Sequence, residues 1–244
     1  MTTGSPWFAA LNRPGFVERF RTSTQGRELE GLPHASTAYY GRTTLSGRGD
    51  HDLNPGMTVP VDRRPAAVLV PIVAREDGLS LLLTKRSETL SVHKGQVSFP
   101  GGRVEDQDQN IVDTALRETE EEIGLNRDRI EVLGRLDTYV TRTGFEVVPI
   151  VGLVTPPFEL KIDPIEVDEA FEVPLSFVLD HGNHQRHSRE WQNTKRFFWV
   201  LPYRHYYIWG ATAGMLVNLA DVLTLPHELP TQPDDDLAGN HAAG

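Results

Sequence analysis

The stretch from Phe99 to Leu125 constrains the fold and the chemistry of this chain more than any other. It reads FPGGRVEDQDQNIVDTALRETEEEIGL, a glycine turn followed by a segment with helical periodicity. At about 100° per residue, Glu118, Glu121 and Glu122 fall within one sector of the helix, beside an apolar sector that would face a core. The sequence therefore predicts a helix with one strongly acidic edge.

Like charges at this spacing repel one another, and each such pair costs a few tenths of a kcal/mol on an isolated helix. A bound cation would remove that cost, and carboxylate oxygens suit hard ions such as Mg²⁺ or Mn²⁺. Proteins commonly hold Mg²⁺ with a few carboxylates together with the phosphate groups of a substrate. The acidic edge favours metal-assisted phosphate chemistry over its plain alternative, a solvated charged face.

The composition narrows the class of protein. The chain has 244 residues, no cysteine and a formal net charge of -10. The absence of cysteine excludes disulfides, thiolate zinc sites and cysteine nucleophiles. The acidic balance argues against binding to a nucleic-acid backbone. No run of 18 apolar residues and no secretory h-region occur, so we expect a cytoplasmic protein without a nucleic-acid or membrane partner.

Proline, glycine and charge mark three regions of the chain. Residues 1–64 resemble an N-terminal arm and linker, residues 65–225 form the predicted core domain, and residues 226–244 form an acidic tail that we expect to be disordered. Within the core domain, the apolar runs predict a hairpin, a central helix, further strands and a terminal helix. Their predicted bounds are Ala66–Val73, Leu79–Thr84, Gln109–Gly124, Ile130–Tyr139, Glu146–Val154, Leu175–Leu179 and Trp209–Leu223, with a second hairpin around Glu190 and Phe197–Leu201. This mixture predicts an α+β domain.

The C-terminal half of the opening stretch resembles a known family signature. Residues 117–125, RETEEEIGL, resemble the REUXEEXGU half of the Nudix box, with Thr119 at a position that is usually aliphatic. Upstream, Gly102 fits the box, and Asp108 stands where the box has Glu. One extra residue separates Asp108 from Arg117.

A second match lies just upstream. The segment LLTKRS at residues 82–87, followed by Gly95 and by FPGG at residues 99–102, resembles the LLTxRSx3Rx3Gx3FPGG signature of the coenzyme A pyrophosphatase subfamily. Ser91 stands where that signature has arginine. The resemblance covers about residues 65–225. It implies a Nudix-type α/β/α sandwich with a mixed β-sheet and the loop-helix-loop of the Nudix box.

The resemblance also implies an activity and a set of site residues. The expected reaction is hydrolysis of the diphosphate bond of coenzyme A or acyl-CoA to 3′,5′-ADP and (acyl-)4′-phosphopantetheine, with Mg²⁺ or Mn²⁺. The family's metal-ligand positions are matched by Glu118, Glu121 and Glu122 and by the carbonyl of Gly102, and its orienting arginine by Arg117. These three glutamates and Arg117 form the expected catalytic group. The expected substrate-binding residues are Arg86, Gly95, Phe99 and Gly101.

Several alternatives stay open at this point. Glu166 or Glu169 could supply a general base, although each could equally be a surface carboxylate. The substrate could be another nucleoside diphosphate derivative, such as NADH or ADP-ribose, or a nucleoside triphosphate. The domain could also be a Nudix binding module that has lost catalysis. Whether the chain forms a homodimer is left open as well.

Overall fold

The computed structural model describes residues 7–23 and 48–224. The α-helices within these residues are α1 (Arg13–Ser23), α2 (Ile111–Ile123), α3 (Leu175–Leu179) and α4 (Gly210–Thr224). The strands are β1 (Arg48–Gly49), β2 (Arg64–Arg75), β3 (Gly78–Arg86), β4 (Val97–Ser98), β5 (Gly101–Arg103), β6 (Ile130–Arg135), β7 (Tyr139–Val140), β8 (Phe145–Val154), β9 (Val167–Pro174), β10 (Gln185–Trp191), β11 (Thr194–Tyr203) and β12 (Tyr206–Trp209).

A mixed sheet forms the centre of the described structure. Its main path runs β1-β7-β8-β2-β3-β4, while β5 pairs with β2, β6 with β8 and β9 with β3. Strands β2 and β8 lie parallel, and β2 and β3 form the expected antiparallel hairpin. A smaller antiparallel sheet, β10-β11-β12, contains the second expected hairpin. The expectation of an α+β fold with a mixed sheet is confirmed.

Helices cover both faces of the central sheet. On one face, Ile111 and Ala115 of α2 pack against Leu69 of β2 and Ile150 of β8. The other face carries the largest core cluster, to which α1, α3 and α4 all contribute. The layers therefore form the α/β/α sandwich that the resemblance implies.

Local signals fix both ends of α2. The side chain of Asn110 accepts hydrogen bonds from the backbone N–H groups of Val112 and Asp113, at 2.9 and 3.0 Å. These bonds satisfy donors that the first turn of a helix leaves free. At the other end, Gly124 adopts a left-handed backbone with φ 66° and donates to the carbonyl of Glu120. The predicted helix is thus confirmed, with ends set within a residue or two of its expected bounds.

The predicted strand Ile130–Tyr139 is divided in the structure. The pairing of β6 with β8 shifts register between Val132 and Gly134, which indicates a bulge or irregularity. Beyond β6, the backbone N–H of Asp137 donates to the side chain of Asn218 on α4 at 3.0 Å instead of to a neighbouring strand. The side-chain bond interrupts the ladder, so the prediction of one continuous strand was wrong.

The expected boundary at residue 64 does not separate an arm from the domain. Phe16 and Phe20 of α1 are fully buried in the main core, and α1 packs against α4 and β6. Strand β1 pairs with β7, and the side chain of Asn54 bonds both the N–H and the C=O of Phe197. These segments complete the core. The predicted tail at 226–244 and the rest of the predicted linker, residues 24–47, lie outside the described residues.

None of the helices within residues 7–23 and 48–224 is long and apolar enough to cross a membrane.

Candidate active site

The Gly101-Gly102 turn places backbone directly beside the acidic edge of α2. Gly101 has a φ of 148°, and a Cβ there would overlap the backbone of Ala67 and Val68 on β2. A Cβ on Gly102 would overlap the carboxylate of Glu118. Only glycine leaves room for this close approach at the two positions. The turn therefore packs directly against the acidic edge of α2, as their place in one motif predicts.

Glu122 is the most deeply buried carboxylate of the acidic edge, with 2% of its surface exposed. One oxygen lies 3.4 Å from a guanidinium nitrogen of Arg86, and the other accepts from the backbone N–H of Gly101 at 3.3 Å. Burial raises the pKa of Glu122 to about 8, and the charges of Glu118 and Glu166 act in the same direction. Arg86 opposes this rise but does not cancel it. The charge of Arg86 therefore does not offset the burial of this carboxylate.

Glu118 lies next to this carboxylate and shares its electrostatic environment. Burial raises its pKa, against the opposing charge and hydrogen bond of Arg117. The Arg117 bond to a Glu118 oxygen is 3.0 Å long. Glu121 has a side chain 58% exposed, and its carboxylate lies 3.0 Å from the same guanidinium. Arg117 thus contacts two of the three glutamates, Glu118 and Glu121.

Asp108 holds Arg117 from the opposite side. Its two oxygens accept from Nε and Nη2 of Arg117 at 2.7 and 3.1 Å. Thr114 Oγ1 and the backbone N–H of Glu105 also donate to Asp108, both at 2.8 Å. Burial acts to raise the pKa of Asp108, but these hydrogen bonds outweigh it and the pKa is lowered. Asp108 is therefore a charged anchor for Arg117.

Sequence reasoning did not identify this anchoring role of Asp108. The available signal was its position in the sequence, six residues after Gly102, where the Nudix box has Glu. The aspartate side chain is one methylene shorter than glutamate, and one extra residue precedes Arg117 in this chain. The geometry shows that the two departures together still permit a bidentate ion pair.

Of the four predicted substrate-binding residues, two lie at the site and one lies in the core. Arg86 ends β3 with its side chain directed to Glu122, and Gly101 forms the turn, so both lie at the site. Gly95 closes the loop after β3, where its N–H donates to the carbonyl of Arg86 and its φ of 66° favours glycine. Phe99 is 2% exposed and belongs to the main core. Its ring has no access to a substrate in this conformation, which corrects that assignment.

The two candidate bases also differ in their surroundings. The charge of Glu166 reaches both Glu118 and Glu122, whose pKa values it helps to raise. The backbone carbonyl of Glu166 accepts from Ser87, which ties its loop to the end of β3. Glu169 instead accepts a 2.5 Å hydrogen bond from the hydroxyl of Tyr206. Of the two, Glu166 is the one whose charge acts on Glu118 and Glu122.

The donors at this site fit a hard divalent ion. They are carboxylate oxygens of Glu118 and Glu122 and the backbone of Gly102, and the absent Cβ of Gly102 leaves a cradle around the Glu118 carboxylate. Oxygen donors of this kind suit Mg²⁺ and Mn²⁺. In this conformation Glu121 faces Arg117, and no three acidic or histidine side chains of the described segments are gathered into a ready metal site.

Comparison with known proteins agrees with this geometry. The model of the NUDIX domain matches residues 63–195, more than half of the chain. The chain belongs to the Nudix hydrolase family. A Nudix hydrolase named NudL from Cronobacter sakazakii, described as uncharacterized, is 40% identical over 160 residues, which cover 66% of this chain and 83% of that protein.

Two further proteins illustrate the range of similarity. A NudL protein of an Enterobacter species, also described as uncharacterized, is 39% identical over 169 residues, 69% of this chain and 88% of that protein. Among solved structures, an Ap4A hydrolase from C. elegans is 19% identical with a TM-score of 0.40, over 45% of this chain and 80% of that one. Family membership shows that the protein is a pyrophosphohydrolase of the Nudix type, a class that uses divalent metal ions.

Proposed function

We propose that this protein hydrolyses the diphosphate bond of coenzyme A or its acyl thioesters, giving 3′,5′-ADP and (acyl-)4′-phosphopantetheine. The observation that carries the proposal is the contact between Arg86 and Glu122 at 3.4 Å. Arg86 belongs to the segment that resembles the coenzyme A pyrophosphatase signature, and Glu122 belongs to the Nudix helix. The two motifs therefore meet at one site in space, where the first can bind the phosphate groups on which the second acts.

Each residue has a definite task in this proposal. Arg86 offers a planar fork of donors that matches phosphate oxygens and lies within reach of the acidic edge. Glu118, Glu121 and Glu122, with the carbonyl of Gly102, would hold Mg²⁺ or Mn²⁺. Such ions, when bound, stabilise charge on a diphosphate and lower the pKa of an attacking water.

The remaining groups position the reaction and accept its proton. Arg117 holds Glu118 and Glu121 in place and is itself held by Asp108. We propose Glu166 rather than Glu169 as general base, because Glu169 is engaged by Tyr206. Phosphoryl chemistry of this kind needs little covalent participation by the protein, so positioning and charge account for most of the rate.

A second substrate class remains a candidate because Ser91 stands where the coenzyme A signature has arginine. Another nucleoside diphosphate derivative, such as NADH or ADP-ribose, or a nucleoside triphosphate could then be the substrate. Cytoplasmic location and a homodimeric state stay predictions.

A substrate panel tests the proposal directly. The purified chain is incubated with Mg²⁺ or Mn²⁺ and with coenzyme A, acetyl-CoA, NADH, ADP-ribose or dGTP, and the products are separated by chromatography. We expect 3′,5′-ADP and 4′-phosphopantetheine from coenzyme A, at the highest kcat/KM of the panel. Preference for another member would overturn the coenzyme A assignment, and failure to cleave any member would favour a binding module without catalysis.

A further inference from the structure

We propose that Asp163 is a positioning residue for the reaction, whose side chain fixes the turn that carries the candidate base Glu166. This role rests on the proposed function, in which Glu166 accepts the proton of the attacking water. It deepens that function by naming the group that holds the base in place. A set of hydrogen bonds joins Asp163 both to this turn and to α2.

The sequence from Asp163 to Glu166, DPIE, favours a tight turn. Aspartate is common at the first position of a β-turn and proline at the second, because the proline ring presets the backbone there. In the structure, the carbonyl of Asp163 accepts from the backbone N–H groups of Glu166 and Val167, at 3.1 and 2.9 Å. Its side chain adds a third bond, in which Oδ1 accepts from the N–H of Ile165 at 2.9 Å. Asp163 therefore bonds the backbone of three consecutive residues of the turn.

The same residue ties the turn to the helix of the site. The backbone N–H of Asp163 donates to the carbonyl of Glu122 at 2.9 Å. At the other end of the turn, the carbonyl of Glu166 accepts from the N–H of Ser87 at 2.9 Å, and Ser87 directly follows Arg86. The turn is therefore bonded to the two segments that bring Glu122 and Arg86 together.

The Glu166 carboxylate depends on this turn for its position. Within the described segments, that carboxylate makes no hydrogen bond or ion pair. Packing holds the turn only weakly, since Pro164 is exposed and Ile165 is 70% exposed. The charge of Glu166 nevertheless acts on the carboxylates of Glu118 and Glu122. The hydrogen bonds of the turn therefore determine where the candidate base lies relative to the catalytic glutamates.

The geometric demands on a general base set the size of the expected effect. A base acts when its oxygen lies about 2.6–3.2 Å from the atom whose proton it takes, and it contributes about 10²–10⁴-fold to the rate. A misplacement of about 1 Å can cost about 100-fold. Asp163→Ala keeps the two bonds from the backbone carbonyl of residue 163 and removes only the bond to Ile165. We therefore expect a smaller loss than the loss on removing the Glu166 carboxylate itself.

A double-mutant cycle on the full chain tests this role. Initial rates of coenzyme A cleavage in Mg²⁺ are measured for Asp163→Ala, for Glu166→Gln and for the double variant. We expect kcat to fall about tenfold for Asp163→Ala, with KM within about twofold of wild type, and at least about 100-fold for Glu166→Gln. The double variant should be within about twofold of Glu166→Gln, because no base is left to position. A loss in the double variant equal to the product of the two single losses would overturn the proposal.

Two further variants separate positioning from general damage to the chain. Asp163→Asn keeps a side-chain oxygen that can accept from Ile165, so its kcat should return to within about threefold of wild type. Asp180→Ala is the matched control, since Oδ1 of Asp180 accepts from the N–H of Gly182 at the same 2.9 Å, at the end of α3. The control should keep the wild-type kcat, and each variant should keep its Tm within about 5 °C of wild type. A low kcat in Asp163→Asn, an equal loss in Asp180→Ala or a larger drop in Tm for Asp163→Ala would overturn the proposal.

The same rates distinguish this role from the proposed function. If another member of the substrate panel is cleaved in place of coenzyme A, the proposed substrate is wrong, and the same cycle on that member decides the role of Asp163. If Glu166→Gln loses activity and Asp163→Ala does not, the general base stands and the role of Asp163 is wrong. If Glu166→Gln cleaves at the wild-type rate, the proposed general base is wrong, and the role of Asp163 is wrong with it.

Discussion

Replacing Asp108 with Asn removes one charge from the network that orients the catalytic glutamates. Asp108 is 4% exposed and accepts two bonds from Arg117, at 2.7 and 3.1 Å. It also accepts from Thr114 and from the backbone of Glu105. Asn has nearly the same shape but brings an NH₂ group to a place where every neighbour is a donor. The substitution therefore leaves Arg117 with a repulsive contact where it had its best partner.

The structure sets the size of the expected effect. Removing one partner of a buried ion pair costs about 3–5 kcal/mol. Arg117 has a side chain 12% exposed and keeps Glu118 and Glu121 as partners, so we expect a smaller loss of about 2–3 kcal/mol. For a domain of this size, that loss lowers Tm by about 5–10 °C. Without Asp108 to fix the guanidinium, Arg117 positions Glu118 less rigidly, and we expect kcat/KM to fall about 100-fold.

Thermal unfolding and initial rates of diphosphate cleavage measure the two effects. Glu131→Gln is the control, because Glu131 pairs with Arg13 and Arg21 on an exposed surface, where an ion pair contributes at most about 1 kcal/mol. That variant should retain its activity. A Tm for Asp108→Asn within about 2 °C of wild type would refute the energetic reasoning. A lowered Tm with unchanged kcat/KM would show that Asp108 stabilises the loop without orienting the glutamates.

Three further perturbations test other parts of the structure. Burial raises the pKa of Glu122 to about 8. The folded metal-free protein therefore keeps a proton on Glu122 that the unfolded chain loses above about pH 4.5. The stability of the folded protein consequently falls as the pH rises from about 4.5 to about 8. Mg²⁺ must displace that proton, and the Tm increase that Mg²⁺ produces should grow between pH 6.5 and 8.5; an increase independent of pH would contradict the assignment. Gly102→Ala should displace the Glu118 carboxylate and lower kcat/KM about 100-fold with little change in Tm, and full activity would show that the close approach is dispensable. Phe16→Ala should cost about 3–5 kcal/mol in urea unfolding, whereas a loss below about 1 kcal/mol would mean that α1 is not part of the core.

The elements that the sequence predicts well are those whose signals are local. Asn110 and Gly124 bracket an apolar stripe, so the bounds of α2 follow from a few neighbouring residues. The same holds for the β2–β3 hairpin, where two apolar runs flank a short polar turn. The acidic edge and the glycine turn are also readable, because their residues lie within one short stretch.

The features that sequence reasoning missed depend on contacts between distant residues. The burial of Phe16 involves α4, about 200 residues further along the chain, and no local pattern in residues 1–64 reveals it. Phe99 looks like a site residue because it adjoins the glycine turn, yet its ring points to the core. The difference between Glu166 and Glu169 as candidate bases depends on Tyr206, which lies on a different strand and donates a hydrogen bond to Glu169. Periodicity reports which side of an element is apolar, but not which distant partner covers it.

Two glutamine variants of α2 decide whether the acidic edge is a catalytic centre. The rate of coenzyme A cleavage by each variant is measured as a function of Mg²⁺ concentration. Glu122→Gln changes a buried carboxylate beside Arg86 and the turn. Glu120→Gln makes the same change on the same helix, where the side chain pairs with Arg127 instead. We predict that Glu122→Gln, while folded, loses at least about 100-fold in kcat at saturating Mg²⁺, as expected when an electrostatic contribution to the transition state is removed. Glu120→Gln should retain nearly the wild-type rate. Equal rates for wild type and Glu122→Gln would contradict the assignment of this site.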